Sequence, residues 1–266
     1  EDHMKIGIIG GTGQLGSAIA TAWLETRTVT PDRLLVSSRS GSLGPLSRWG
    51  EMGSTTDNQV LADACDVILF AIPPDQARGV RLAAGEKLIL SVMAGITLAD
   101  LQSMTGSTRV VRAMSSPAAA MRLAYSPWLP ARALSEPDAL LVEKLLSACG
   151  ATDRVGSEDH IDRFTALTGP VPGFVAAFAD AMIGHATSRG IPEHIATRAI
   201  RQLFLAAGTE MSLNAEMSPG DHVRAMIDYA GTTAAGLTVL RDGPMHQAVD
   251  AALEAAYQRT KTIGDG

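Results

Sequence analysis

Five continuous apolar runs, rich in Val, Ile and Leu, punctuate the first half of the chain at 5–9, 33–36, 67–72, 87–92 and 109–113. Amphipathic or Ala-rich stretches separate them at 16–26, 59–64, 74–83 and 98–104. A strand that is apolar at every position must be covered on both faces, and such strands alternating with helices build a parallel sheet between helical layers. Two further short strands are expected around 123–129 and 151–155, flanking a helix over 137–148 that Gly150 stops.

The periodicity changes after about Gly156. From Asp159 to Thr262 only helical patterns recur, near 159–167, 173–188, 193–213, 219–227, 232–241 and 245–262. The run 174–183 is apolar almost all the way round, and such a helix must be buried on every side. In a second domain of about a hundred residues this predicts a bundle completed by another subunit. The alternative is a central helix buried within its own bundle. The expected architecture is therefore α/β: a parallel-sheet domain over 1–156, then an all-α dimerisation domain over 157–266.

Composition narrows the partners. The chain has 266 residues, 46% of them hydrophobic, and a mean hydropathy of +0.13, which suits a packed core. No apolar run approaches the roughly 20 residues that cross a bilayer, and the start lacks a basic-then-apolar signal pattern. A formal charge of −6 without Lys/Arg clusters argues against nucleic acid or an anionic membrane as partner. A cytoplasmic protein is expected. Glu1-Asp2-His3 ahead of Met4 reads as an addition to the natural start and is set aside. Cys65 and Cys149, far apart in apolar contexts, read as buried thiols. His160, His185, His194, His222 and His246 have no metal-ligand spacing, so no metal is expected and each reads as a surface or capping residue. Asp180, an acid inside the apolar helix, needs a partner and reads as structural.

The candidate chemistry begins at the first strand. Lys5-Ile6-Gly7-Ile8-Ile9 runs into Gly10, Gly11, Thr12, Gly13, Gln14, Leu15 and Gly16, and the last six of these satisfy G-x-G-x-x-G. Glycine there permits a tight turn, close approach of backbone to pyrophosphate, and close helix–strand packing. Amides at the helix start then face the phosphates. An NAD site usually ends its second strand with an acid about 20 residues further on. Here that strand ends in Ser37-Ser38-Arg39-Ser40. A guanidinium flanked by hydroxyls suits a ribose 2′-phosphate, so NADP is the expected cofactor.

Several separated segments together resemble the pyrroline-5-carboxylate reductase family. They are the glycine turn; the cluster Ser38, Arg39, Ser40; Asn58; Ala71, Ile72, Pro73 and Pro74 where the family has A-V-K-P; Ala94 and Gly95 within Ser91-Val92-Met93-Ala94-Gly95-Ile96; and Arg112-Ala113-Met114. In the second half they are Glu158, Asp162, Thr165-Ala166-Leu167-Thr168-Gly169, the stretch Gly231-Thr232-Thr233-Ala234-Ala235-Gly236-Leu237, and 252–259. The resemblance implies a Rossmann-like domain followed by a helical dimerisation domain, and NADPH-dependent reduction of a cyclic imine, 1-pyrroline-5-carboxylate giving proline. It implies that amides of Gly231, Thr232 and Thr233, supplied by a partner subunit, bind the substrate carboxylate, with the Thr233 hydroxyl facing the ring nitrogen. Free amides at a helix start make an anion site; the alternative is that both threonines are ordinary helix caps.

The chain also departs from the family. Its glycine turn is one residue longer and resembles that of deazaflavin-dependent NADP reductases. The family's R-A-M-P-N-T-P-A becomes Arg112-Ala113-Met114-Ser115-Ser116-Pro117-Ala118, and its S-G-S-G-P-A-Y becomes Thr168-Gly169-Pro170-Val171-Pro172-Gly173-Phe174. Its S-P-G-G-T-T becomes Asp228-Tyr229-Ala230-Gly231-Thr232-Thr233. An ionised Asp228 aimed at the site would repel a carboxylate. The readings that follow are the family reductase, a reductase of a related imine without the carboxylate, and a non-catalytic NADP(H)-binding sensor.

Overall fold

The computed structural model describes residues 4–131 and 134–263; the reading of Glu1-Asp2-His3 lies outside them. Strands β1 (Ile6–Ile9), β2 (Leu34–Ser37), β3 (Gly53–Thr55), β4 (Val67–Phe70), β5 (Leu88–Ser91), β6 (Val110–Ala113), β7 (Ala124–Pro130) and β8 (Gly150–Arg154) form one sheet in the order β3-β2-β1-β4-β5-β6-β7-β8. All neighbours are parallel except β6 and β7. β1, β4, β5 and β6 are buried at every position, as expected of strands covered on both faces. Alternate residues feed two cores: Ile6, Ile8, Val36, Leu69 and Leu90 on one side, Ile9, Ile68, Phe70, Ile89 and Val110 on the other. Each such side chain contributes about 1.5–3 kcal/mol on leaving water.

The flanking helices are α1 (Gln14–Glu25), α2 (Asn58–Ala64), α3 (Pro74–Ala77), α4 (Leu98–Thr105), α5 (Glu136–Ser147) and α6 (Glu158–Leu167). Trp23 of α1 is fully buried, and its indole Nε1 donates to the Leu145 carbonyl of α5 at 2.7 Å. Cys65 and Cys149 are buried free thiols, pushed up to about 11 and about 12 by burial.

One strand is unforeseen and two local expectations need correction. β3 has no apolar run and so no periodicity to find; it exists because it pairs with β2, Leu35 opposite Gly53. The helix expected over 74–83 stops at Ala77, because the chain beyond Gly79 extends to bond the end of α4, Leu82 N to Met104 O at 2.8 Å and Ala84 N to Thr105 O at 3.0 Å. The first helix starts at Gln14, which puts Gly16 within its first turn.

The helical half comprises α7 (Gly173–Thr187), α8 (Glu193–Leu213), α9 (Pro219–Asp228), α10 (Thr232–Asp242) and α11 (Met245–Thr262). One compact unit runs to Val171 and resumes at Ala255; the other is Pro172–Glu254. Tyr257 anchors the end of α11 in the first unit. It is 4% exposed, its hydroxyl donates to Asp159 of α6, and the Arg163 guanidinium lies 4.1 Å from its ring centroid. In the second unit α7 packs on α8, with the Phe178 and Phe204 ring centroids 6.1 Å apart, while α9 packs on α10. The apolar helix is not buried within its own bundle: Val175 is 55% exposed, and Phe174 and Phe178 remain open beside it. Among the described residues no helix is long and apolar enough to cross a membrane.

Candidate nucleotide cleft and anion-binding loop

The parallel strands bring Gly10–Gly16, Ser38–Ser40, Ala71–Pro73 and Ala94–Gly95 to one edge of the sheet, at the C-terminal ends of β1, β2, β4 and β5. β1 is the switch point of the strand order, where open α/β sheets bind ligands. Gly10 has φ +82°, and a Cβ on it would stand 2.7 Å from the Ala71 carbonyl oxygen and 2.6 Å from Ile72 Cγ2. Only glycine lets the ends of β1 and β4 approach this closely. A Cβ on Gly16 would fall 2.3 Å from the Gly10 carbonyl, so the helix sits directly on the turn. Gly13 is the exposed N-cap of α1 and supplies no side chain to cap it. The first amides of α1 are thereby left for an anion. Thr12 and Leu15 are half-buried, and Gln14 is exposed.

The segment after β2 is tied to that turn. The Ser37 carbonyl accepts from Gly10 N at 3.1 Å and Gly11 N at 3.3 Å, while the buried Ser37 hydroxyl donates to Asn58 Oδ1 at 2.7 Å. The Ser38 hydroxyl donates to the Ser42 carbonyl at 3.1 Å, the Ser40 and Ser42 hydroxyls share a 2.9 Å hydrogen bond, and Ser54 donates to the Gly41 carbonyl at 2.6 Å. A Cβ on Gly44 would lie 3.3 Å from Thr12 Cβ, so this closed loop returns against the glycine turn. Arg39 stands exposed in it, with no carboxylate from 37 to 44. Glycines that a Cβ would block, a free helix start and this cation fit an NADP dinucleotide.

Further along the same edge lie Arg112, Glu158 and Asp162, which the family resemblance marks without assigning them a role. Arg112 is 1% exposed; its Nη1 donates to Glu158 Oε1 at 3.0 Å and its Nη2 to Asp162. Glu158 Oε1 also accepts from Leu98 N at 3.0 Å, at the start of α4 just beyond Ala94–Gly95. One guanidinium thus joins β6, α6 and, through Glu158, the start of α4. The departure at Ser115–Ser116 is also buried: Ser126 donates to Ser115 Oγ at 3.0 Å, and Ser116 Oγ has no hydrogen-bond partner.

In the other unit, Gly231 rather than either threonine is the N-cap of α10. It offers no side-chain cap, the first turn holds no acid, and Thr232 and Thr233 stand inside the helix. The ordinary-cap reading of the threonines is thereby removed. Beside this open start runs a groove of about 610 Å³ lined by Ala207, Glu210, Met211, His222, Ala225, Met226, Tyr229 and Gly231–Thr233. Asp228, the exposed last residue of α9, is not among its lining residues. Tyr229 is. His222, expected as a surface or capping residue, lines the groove too, and neither it nor Tyr229 or Met226 is legible as lining in the sequence, because lining depends on how α8, α9 and α10 meet.

Residues 158–263 match the family model described as pyrroline-5-carboxylate reductase dimerisation, and residues 5–95 match that described as NADP oxidoreductase, coenzyme F420-dependent. A pyrroline-5-carboxylate reductase of Methanosarcina acetivorans is 29% identical over 270 residues, spanning 99% of both chains. Over its whole length the chain is similar to pyrroline-5-carboxylate reductases. A pyrroline-5-carboxylate reductase of Synechocystis is 28% identical over 98% of both chains. The solved structure of a family member from Coxiella burnetii is 26% identical, with a TM-score of 0.86 over 98% of both chains. The Plasmodium falciparum pyrroline carboxylate reductase structure with NADP bound shares the fold, with a TM-score of 0.81 at 23% identity. These relatives match both halves of the chain at once, glycine turn and Gly231–Thr233 loop together.

Proposed function

We propose that this chain is an NADPH-dependent reductase of 1-pyrroline-5-carboxylate that yields proline. The observation that carries the reading is the uncapped start of α10 at Gly231, in a chain matched end to end by pyrroline-5-carboxylate reductases. Gly10–Gly16 would hold the pyrophosphate. Ser38, Arg39 and Ser40 would hold the 2′-phosphate, while Asn58, Ala71–Pro73 and Ala94–Gly95 would line the rest of the cofactor. NADPH, when bound, supplies the hydride. The amides of Gly231, Thr232 and Thr233 hold the substrate carboxylate, and the Thr233 hydroxyl bonds the ring nitrogen. A protonated iminium carbon is already activated, so these groups orient it and no separate general acid is required. The domains divide as 1–156 for the cofactor and 157–266 for substrate and dimerisation, and the enzyme works as a cytoplasmic homodimer.

A second reading has one observation in its favour: Tyr229-Ala230, where the family has Pro-Gly, sets a ring beside Gly231, which suits an imine without the carboxylate. NADPH oxidation by purified protein, with pyrroline-5-carboxylate beside 1-pyrroline and 1-piperideine, separates the two. Preference for pyrroline-5-carboxylate supports the first, and turnover only of the carboxylate-free imines supports the second. Bound NADPH with no turnover of any imine overturns both and leaves a sensor. In the same assay Arg39→Ala should lower the NADPH-over-NADH preference about 10-fold or more, the loss of one charge-assisted contact; an unchanged preference removes Arg39 from the 2′-phosphate site.

A further inference from the structure

Tyr229 is 87% exposed in the single chain, an unusual state for an aromatic ring that gains so much by burial. Its position is set rather than loose. Tyr229 N donates to the Ala225 carbonyl at 3.0 Å and Ala230 N to the Ile227 carbonyl at 2.9 Å, closing α9. Ala230 then takes φ +59°, a left-handed conformation that costs a non-glycine residue. This turn lays the tyrosine ring against Gly231: a Cβ there would meet ring atoms Cδ1 and Cε1 at 3.4 and 3.6 Å. The ring therefore adjoins the residue that opens α10, and any anion held by the Thr232 and Thr233 amides has this ring as its neighbour.

The groove extends the same wall. Met211 and Met226 join Tyr229 on apolar faces, with Ala207 and Ala225 leaving space between them. At about 610 Å³ it lies within the range of about 300–1,000 Å³ that holds a substituted organic ligand. Methionines adapt to irregular apolar shapes, and the face of a tyrosine attracts a cation such as an iminium.

Resting on the reading of Gly231–Thr233 as the imine site, we propose that Tyr229 is a specificity-determining residue: with Met211 and Met226 it accepts an apolar ring substituent on the imine, extending the substrates to aryl- or alkyl-substituted cyclic imines.

The test measures kcat/KM at saturating NADPH for pyrroline-5-carboxylate and for 2-phenyl-1-pyrroline, in the wild type, Tyr229→Ala and Tyr229→Phe, with the oligomeric state of each followed by sedimentation. The wild type is expected to reduce both imines. In Tyr229→Ala the ratio of phenylpyrroline to pyrroline-5-carboxylate efficiency should fall about 10-fold or more, as for loss of an apolar pocket wall. Tyr229→Phe, which keeps the ring, should hold the ratio within about 2-fold. An unchanged ratio in Tyr229→Ala overturns the proposal, as does a wild type that reduces pyrroline-5-carboxylate but not the phenyl compound. A changed oligomeric state with an unchanged ratio gives the groove to a second copy and also overturns it. A wild type that turns over neither imine while binding NADPH is a failure of the imine reading itself.

Discussion

The sheet unit and the helical unit obey the hydrophobic effect in opposite ways. In the first, β1, β4, β5 and β6 are sealed at every position by helices of the same chain. In Pro172–Glu254 the only buried residue is Ala196, although α7 is among the most apolar segments of the sequence. Val175, Leu205 and Val239 are each more than half exposed. Apolar surface on this scale is not left in water by a stable monomer, and at about 25 cal/mol per Å² it strongly favours association. The family model that this half matches is described as dimerisation, which supports a homo-oligomer. The same rule that completes the first unit within one chain leaves the second incomplete within one chain.

The largest expected effect breaks the second unit. Phe178→Asp places a charge in the α7 face beside Val175, where burial against another copy would desolvate it. Sedimentation should find monomers, and imine reduction should fall about 100-fold or more, on the order of the 3 kcal/mol or so that such a buried charge costs. The wild-type thermal midpoint should also rise with protein concentration, as linkage to association requires. A Phe178→Asp protein that stays oligomeric and active would show that α7 is covered by something else.

A smaller effect should arise in the first unit and ignore concentration. Arg112→Met leaves the carboxylates of Glu158 and Asp162 without the guanidinium that both bond. Breaking a buried pair typically costs about 3–5 kcal/mol. The Glu158 side chain is 36% exposed, so solvent screens its share and about 2–3 kcal/mol is expected here. That should lower the midpoint by about 5–10 °C at any protein concentration. A shift that grows on dilution would mean that the clamp acts on assembly instead.

The comparison also explains what was legible in the sequence. β1, β4, β5 and β6 announce themselves because a doubly covered strand is apolar throughout, and the glycine turn because Gly10 and Gly16 occupy positions where a Cβ has no room. β3 was invisible, since its three residues pair through backbone alone. That 174–183 needs cover was readable from its uniform apolarity, and its own bundle does not supply it. The groove beside Gly231 was not, because Met211 and Tyr229 come from separate helices and meet only through packing. Arg112 sits amid the apolar β6 and its carboxylates lie on α6, one turn apart, so only the family pattern linked them.

The smallest effect concerns how the chain returns to its first unit. The Tyr257 hydroxyl, and after it the hydrogen bond from Arg163, hold the Asp159 carboxyl below its ordinary value, with Lys261 Nζ 3.5 Å from the same carboxylate. A carboxyl whose folded pKa is depressed contributes stability above its unfolded value, near 3.9, and loses it as pH falls through the folded value. The docking of α11 on α6 should therefore weaken only at acid pH, below about 4, and be indifferent to pH near neutrality. Tyr257→Phe removes the hydroxyl but keeps the ring under Arg163 and Lys261. A carbon-detected NMR titration of Asp159 should then find its pKa raised toward the ordinary carboxylate range while still held down by Arg163. An Asp159 titration that Tyr257→Phe leaves unmoved would mean that the cations alone hold the carboxylate and that the hydroxyl bond adds nothing to this junction.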